Sequence, residues 1–131
     1  MIVLDASAAV ELLLNTEPGG RLADRIRAPE VSLHAPHLID IEVTQTLRRY
    51  VRQGTLPDEH GRLGLSHFAL LDLNRYAHEP FLARIWALRD NLTAYDAAYV
   101  ALAEVLSAPL LTCDRRLAGA PGLGADIQLV E

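Results

Sequence analysis

Four acidic residues, far apart in the chain, are the best candidates for chemistry: Asp5, Glu42, Asp96 and Asp114. Asp5 ends the apolar run that starts at Met1, and Asp114 closely follows a second apolar run, 109–112. A helical pattern comes after each run. In parallel sheets, sites form at the edge where the strands end. We therefore expect all four carboxylates at one sheet edge, as in a metal-dependent hydrolase.

Carboxylates that converge repel one another, which raises some of their pKa values unless positive charge is nearby. Oxygen ligands of this kind favour Mg²⁺ or Mn²⁺ over zinc. One or two such ions activate water and stabilise the charge that develops on a phosphodiester. The four acids therefore predict phosphodiester hydrolysis.

Each acid also has a structural alternative. Asp5 and Asp114 are suited to cap the helices that follow them. Asp96 lies three residues after Thr93, which is the capping-box spacing. Glu42 is mid-helix, where no cap requires it, so its alternative is a solvated flank or a pair with Arg49. The nearby Asp40 is a rival to Glu42, and we rank it as solvent-facing.

Apolar periodicity predicts the elements that must position these acids. The predicted strands are Ile2–Leu4, Val31–His34, Leu73–Ala77, Leu110–Leu111 and Ile127–Val130. The predicted helices are Ala6–Leu14, Arg21–Arg27, His37–Arg52, Asp58–Leu71, Phe81–Arg89, Ala94–Leu106 and a brief turn at Arg115–Leu117. Pro18 to Gly20 is expected to break the chain. Strands that alternate with helices predict an α/β fold with a short parallel sheet covered on both faces.

Length and composition narrow the function classes. A chain of 131 residues, half of them apolar, favours one domain spanning 1–131. Its apolar runs are too short for a membrane span, and the lone Cys113 cannot form an internal disulfide, so we expect a soluble cytoplasmic protein. The chain has no lysine, which excludes P-loop ATPases and Schiff-base enzymes.

The net charge of −5 argues against a nucleic-acid ligand, but two divalent cations would reduce it to about −1. Aromatic residues make up only 5% of the chain, so no stacking platform is expected, and Tyr95 and Tyr99 are assigned to the core. Arg115 and Arg116 are candidates for phosphate contacts. The five histidines lack a shared helical face for metal binding, and Ser7 lacks a nucleophile-elbow motif.

Four segments resemble the PIN-domain ribonucleases, in particular the VapC-type toxins of type II toxin-antitoxin systems. They are the start Ile2–Ala8, the stretch Pro36–Leu47, the stretch Thr93–Glu104 and the stretch Leu111–Leu117. Their order and spacing, and the chain length, all agree with the family. The resemblance implies a PIN-like three-layer sandwich in which Asp5, Glu42, Asp96 and Asp114 are catalytic and hold Mg²⁺ or Mn²⁺ for cleavage of RNA.

The same resemblance makes Ser7 and Thr112 supporting hydrogen-bonding positions. It also implies a homodimer and a cognate VapB-type antitoxin, for which the exposed side of 58–71 is a candidate surface. Some relatives carry a further acid shortly after the fourth, but residues 115–118 contain none here, which puts a second metal ion in doubt.

Two other functions share parts of this pattern. Phospho-receiver signalling modules have this length, an α/β fold and an acidic pocket, but they pair acids after the first strand and use a late lysine. Phosphatases like the haloacid dehalogenases need a second aspartate where Ser7 stands. A divalent-metal endoribonuclease that inhibits growth is therefore the main hypothesis, with the receiver module as the alternative.

Overall fold

A computed structural model of the chain describes residues 1–121 and 123–131. Its strands are β1 (Ile2–Leu4), β2 (Leu33–Pro36), β3 (Leu73–Tyr76), β4 (Leu110–Thr112) and β5 (Ile127–Leu129). They form one sheet in the order β3-β2-β1-β4-β5, and every neighbouring pair is parallel. The predicted α/β class and parallel sheet are confirmed.

Seven α-helices occur in the described residues. They are α1 (Ala6–Leu13), α2 (Glu17–Ile26), α3 (Ile39–Arg52), α4 (Asp58–Leu70), α5 (Leu82–Ala87), α6 (Ala94–Leu106) and α7 (Arg115–Ala118). A short 3₁₀ turn, Glu79–Phe81, precedes α5, so the helix predicted from Phe81 to Arg89 is interrupted and shorter. Within the described ranges, no helix is both long and apolar enough to cross a membrane.

Helix α2 begins earlier than predicted, because Pro18 to Gly20 forms its first turn and does not break the chain. The side chain of Thr16 caps the helix by accepting a hydrogen bond from Gly19 N–H, and Pro18 suits a first turn. Gly19 packs so closely on the backbone of Glu11 that a methyl group there would overlap its carbonyl. The glycine thus permits close packing between α1 and α2.

Strand β2 starts at Leu33, two residues later than predicted, because Val31 N–H closes a turn onto the Ala28 carbonyl. Three strands, β1, β2 and β4, are buried along their whole length. Helix α6 packs on β1, β2 and β4, and its residues 97–103 are all buried. Continuous apolar burial of this kind is expected for strands covered on both faces.

Strand β1 lies between β2 and β4, so the chain moves outward in one direction to β3 and then returns past β1 to β4. The order of the strands therefore reverses between β1 and β4. In open α/β sheets, ligands bind outside the carboxyl ends of strands at this reversal point. Asp5 follows β1 directly, and Asp114 follows β4 after one intervening residue.

Candidate active site

The four predicted acids line one cleft of about 720 Å³ at the carboxyl edge of the sheet. Two of them, Asp5 and Asp114, come from the ends of β1 and β4. The other two come from helices, Glu42 from the first turn of α3 and Asp96 from the first turn of α6. The fold therefore brings together residues that are up to 109 positions apart in the sequence.

Asp5 is the most buried of the four, with 5% of its surface exposed. Its Oδ1 accepts hydrogen bonds from Ser7 Oγ at 2.7 Å and from Ala8 N–H at 2.9 Å, and its Oδ2 accepts one from Thr112 Oγ1 at 2.5 Å. The bond from Ala8 makes Asp5 the N-cap of α1. Capping and membership of the cleft are thus compatible for this residue, although they were weighed as alternatives.

Ser7 and Thr112 join the two strand ends into one network. Their hydroxyl oxygens lie 3.2 Å apart, and each also accepts a hydrogen bond from a backbone N–H after β4, from Cys113 and Asp114 respectively. Thr112 is fully buried. The supporting positions expected from the resemblance therefore both bond directly to Asp5.

Glu42 is bonded across to α6, because Tyr99 Oη donates a hydrogen bond to its Oε1 at 2.6 Å. The pair with Arg49 that we considered is not formed; the Arg49 guanidinium lies over the Tyr50 ring, 5.6 Å from its centroid. Asp40 lies outside the cleft lining and binds Arg75 at 2.7 Å. The structure thus separates Glu42 from its sequence rival.

Asp96 and Asp114 both stand at helix starts, but of these two side chains only that of Asp114 acts as a cap among the described hydrogen bonds. Asp96 N–H donates to Thr93 Oγ1 at 3.2 Å, so Thr93 is the cap of α6. Asp114 caps α7 through Arg116 N–H and also binds the Arg116 guanidinium, each at 2.9 Å. Arg116 is thus a cation at the cleft wall that pairs with one of the acids.

The pKa values of Asp5, Glu42 and Asp96 are all raised, first by burial. The acids also raise one another: Asp96 acts on Asp5 and on Glu42, and Asp114 acts on Asp96. Burial acts on the pKa of Asp114 in the same direction, but the hydrogen bonds and charge of Arg116 lower it overall. The cleft therefore brings several carboxyl groups together, and Arg116 partly balances their charge through its pair with Asp114.

The donor chemistry of the cleft suits a hard divalent cation, since all four acids offer oxygen and their mutual repulsion is relieved by positive charge. The side chains are not pre-arranged for it, because in the described residues no three His, Cys, Asp or Glu side chains are grouped closely enough to hold an ion. An ion shared by the four acids would therefore require some of these side chains to turn toward it.

Two tyrosines of α6 have roles that the sequence analysis missed. Tyr99 is buried as predicted, but it also bonds to Glu42, and this burial and the adjacent acids raise its pKa. Tyr95 is 61% exposed at the cleft and not in the core. The four-residue spacing between them was the available signal, because it places both on the face that carries the acids.

His34 is a structural histidine. It lies in β2, is 6% exposed, and its two ring nitrogens are each 2.7 Å from a hydroxyl, those of Ser32 and Tyr76. Cys113 lines the acidic cleft, where burial raises the pKa of its thiol to about 11. Neither residue therefore adds a charge to the cleft near neutral pH.

Comparison with known proteins gives a consistent set of relatives. Residues 2–123 match the PIN domain family. The chain is 46% identical to Ribonuclease VapC12 of Mycobacterium tuberculosis over 130 residues, with 99% of each sequence covered. It is 44% identical to Ribonuclease VapC1 of the same species, with 98% of this chain and 96% of the relative covered.

Solved structures share the fold at low sequence identity. VapBC2 from Rickettsia felis, bound to a DNA fragment from its promoter, superposes with a TM-score of 0.70 at 13% identity over the whole of both chains. A toxin-antitoxin complex from Klebsiella pneumoniae gives 0.65 at 19% identity, covering 98% of this chain and 96% of the other. At this level of identity, these structures show only that the fold is shared.

Proposed function

The chain belongs to the PIN domain family and groups with its VapC ribonucleases, and from this membership we propose that it is a divalent-metal-dependent endoribonuclease that inhibits growth as the toxin of a VapBC-type pair. Full-length similarity to two ribonucleases of that name supports the reaction class. The observation that carries the proposal is the meeting of Asp5, Glu42, Asp96 and Asp114 on one cleft.

Each acid has a distinct part in the proposed site. Asp5, oriented by three hydrogen bonds, is the fixed ligand, while Glu42 and Asp96 complete the set from the two helices. Asp114 is the fourth, and Arg116 holds it in its charged form. Mg²⁺ or Mn²⁺ bound there would supply a nucleophile from water and stabilise the charge on the phosphodiester.

Arg115 and Arg116 line the same cleft and are exposed, so they are placed to contact the phosphates of an RNA chain. Arginine in this role would offset the net charge of −5 locally, where the substrate enters. We assign them to substrate binding.

The proposal includes a VapB-type antitoxin as partner, a homodimer as the assembly and the cytoplasm as the location. Full-length similarity to VapC ribonucleases supports the partner, because the resemblance to VapC-type toxins implies a cognate antitoxin. The candidate surface remains the exposed side of α4, where Leu63 and Leu70 are 53% and 83% exposed. Such apolar side chains suit a helical or extended partner segment.

The receiver-module alternative does not fit the topology. Receiver domains of the flavodoxin-like class have strand order 2-1-3-4-5, whereas this sheet has the order 3-2-1-4-5. β1 is also followed by one acid and then Ala6 and Ser7, and the chain has no lysine. The nuclease proposal therefore has no competitor on these observations.

The test is cleavage of total RNA by the purified chain with Mg²⁺, Mn²⁺ or EDTA, followed by mapping of the new ends. Asp5→Asn and Asp96→Asn should each lower the rate at least about 100-fold, because each removes a charge from the proposed ligand set. Asp40→Asn is the matched control, since Asp40 is an acid of α3 outside the cleft, and it should cut like the parent. Full activity in both cleft variants would refute the proposal.

A further inference from the structure

Two exposed apolar side chains stand on the cleft beside the acids. Tyr95 precedes Asp96 on α6 and is 61% exposed, and Ile41 precedes Glu42 on α3 and is 70% exposed. Single exposed apolar residues are ordinary on protein surfaces. Here, two exposed apolar side chains line one acidic cleft, and each is next to a carboxylate in the sequence. This arrangement indicates a ligand that has an apolar face close to a charged group.

The geometry of the two helices explains why these side chains share the cleft. Tyr95 is one helical turn before Tyr99, so both lie on one face of α6. Tyr99 Oη reaches Glu42 at 2.6 Å, and Glu42 adjoins Ile41. This hydrogen bond joins α6 to α3 close in sequence to both exposed side chains.

Polar groups continue the row along α3. Ile41, Gln45 and Arg49 are spaced by four residues, or about 6 Å along the helix axis, and all three line the cleft. Gln45 and Arg49 are exposed. An apolar side chain, an amide and a guanidinium in sequence match the base, the polar edges and the phosphate of a nucleic acid strand.

We infer that Tyr95 and Ile41 form a binding subsite for an unpaired nucleobase next to the reacting phosphate, with Arg49 binding a neighbouring phosphate. The inference rests on the proposed nuclease function and assigns Tyr95 and Ile41 to the contact with one base of its RNA substrate. A ring face is a general partner for unstacked bases, and bases inside an RNA duplex do not expose their faces. The low aromatic content therefore did not exclude stacking at this one position.

A peptide is the other macromolecule that could place an apolar group here. The arginine on the same helical row favours a chain of phosphates, since Arg49 forms no salt bridge with an acid among the described residues. The adjacent acids also suit the proposed cation, which would bind the scissile phosphate rather than a peptide. The row as a whole therefore favours RNA.

The experiment measures binding of a short, fluorescein-labelled single-stranded RNA to the whole chain in EDTA, where the proposed cleavage is absent. Tyr95→Ala should weaken binding roughly 5- to 100-fold, as expected for the loss of one stacked base. Tyr95→Phe should stay within about twofold because it keeps the ring. Trp86→Ala is the matched control, since Trp86 is 68% exposed but lies outside the cleft lining, and it should bind like the parent.

Salt dependence separates the two kinds of contact. Arg49→Gln should reduce the slope of log affinity against log salt by about 0.7, the value for one phosphate contact on a single strand. Tyr95→Ala should leave that slope unchanged. Equal slopes for Arg49→Gln and the parent would remove Arg49 from the subsite.

The outcomes distinguish this subsite from the nuclease proposal. If the parent cuts RNA and Tyr95→Ala binds as tightly as the parent, the subsite is wrong and the nuclease stands. If binding depends on Tyr95 but Mg²⁺ and Mn²⁺ elicit no cleavage, the subsite is supported and the nuclease is wrong. A change in sedimentation of Tyr95→Ala alone would identify the pair as a contact between copies and overturn the inference.

Discussion

Two polar clusters lie at neighbouring positions of the sheet, and they differ in charge. The cluster at β2 and β3 joins His34 to Ser32 and Tyr76 by hydrogen bonds of 2.7 Å. The cluster at β1 and β4 joins Asp5 to Ser7 and Thr112 by bonds of 2.5–2.7 Å. Both are well bonded, and no buried side-chain N or O atom of the described residues lacks a partner.

The histidine cluster is neutral and complete, because burial lowers the pKa of His34 and each ring nitrogen has a hydroxyl partner. The aspartate cluster is equally well bonded but is built around an acid, and four more acids line the same cleft: Glu11, Glu42, Asp96 and Asp114. Hydrogen bonding alone therefore does not mark a functional site here. The cleft differs in holding several acids together: the pKa values of Asp5, Glu42 and Asp96 are raised first by burial and further by the neighbouring acids.

The largest predicted difference between the two clusters comes from Thr112→Val in the aspartate cluster. This substitution keeps the shape of the side chain but removes its hydroxyl. Asp5 Oδ2 loses a donor and Asp114 N–H loses its acceptor, so we expect cleavage to fall about 10- to 100-fold and the free energy of unfolding to fall by about 1–3 kcal/mol. RNA cleavage rates and urea denaturation measure the two quantities. Thr112→Ser should restore most of both, and an active Thr112→Val would show that the orientation of Asp5 is unimportant.

The corresponding change in the neutral cluster is Tyr76→Phe. It removes one hydroxyl from His34, and we expect it to lower the free energy of unfolding by about 1 kcal/mol while leaving cleavage at the parent rate. The same denaturation and cleavage assays apply. A large loss of activity in Tyr76→Phe would contradict the assignment of a purely structural role to the His34 cluster.

The pH dependence of stability should also differ between acids. A carboxyl with a raised folded-state pKa favours folding when protonated, so in EDTA the contribution of Asp96 is present in acid and is lost as the pH rises through its folded pKa. Asp114 has a lowered pKa, so its contribution is lost as the pH falls through that pKa. Asp96→Asn should therefore stabilise the metal-free chain near pH 7, by only about 0.5 kcal/mol because the side chain is half-exposed.

Chemical denaturation in EDTA at acid and neutral pH checks this prediction. Tyr76→Phe serves as a reference because it changes no carboxylate. If Asp96→Asn is less stable than the parent near pH 7, groups within the protein already compensate the charge of Asp96, and it needs no cation.

The smallest expected effect concerns Arg116, which binds Asp114 at 2.9 Å. Arg116→Gln removes a positive charge from the cleft wall, so Mn²⁺ binding should tighten about two- to fivefold, with less change at high salt. Arg27→Gln is a suitable control, since Arg27 forms a comparable exposed pair with Asp24 and does not line the cleft. If Mn²⁺ binds more tightly to both variants by the same factor, the change follows from net charge and not from the position of Arg116.

The sequence was sufficient for the elements and for the acids, because apolar runs and cap spacings are local signals. Thr93 caps α6, and the acids after β1 and β4 lie where parallel strands place their ends. Local patterns failed where packing decided the outcome. Pro18 to Gly20 reads as a break, yet it forms the first turn of α2, which Thr16 caps and in which Gly19 packs against α1.

Long-range contacts account for the other differences. The partner of Glu42 is Tyr99, 57 residues away, and no spacing rule on α3 could favour it over Arg49. The exposure of Tyr95 follows from which face of α6 the sheet covers, since its neighbours from Ala97 onward are buried. Both facts concern the cleft, so the sequence predicted the four acids that meet there but not the side chains around them.

Titration of the purified chain with Mn²⁺ by calorimetry most directly tests whether the four carboxylates share a cation. We expect measurable uptake by the parent and by Asp40→Asn, and its loss in Asp5→Asn, Glu42→Gln and Asp96→Asn, each checked for folding by circular dichroism. No uptake by the parent, or unchanged uptake in the three cleft variants, would contradict the proposed metal site.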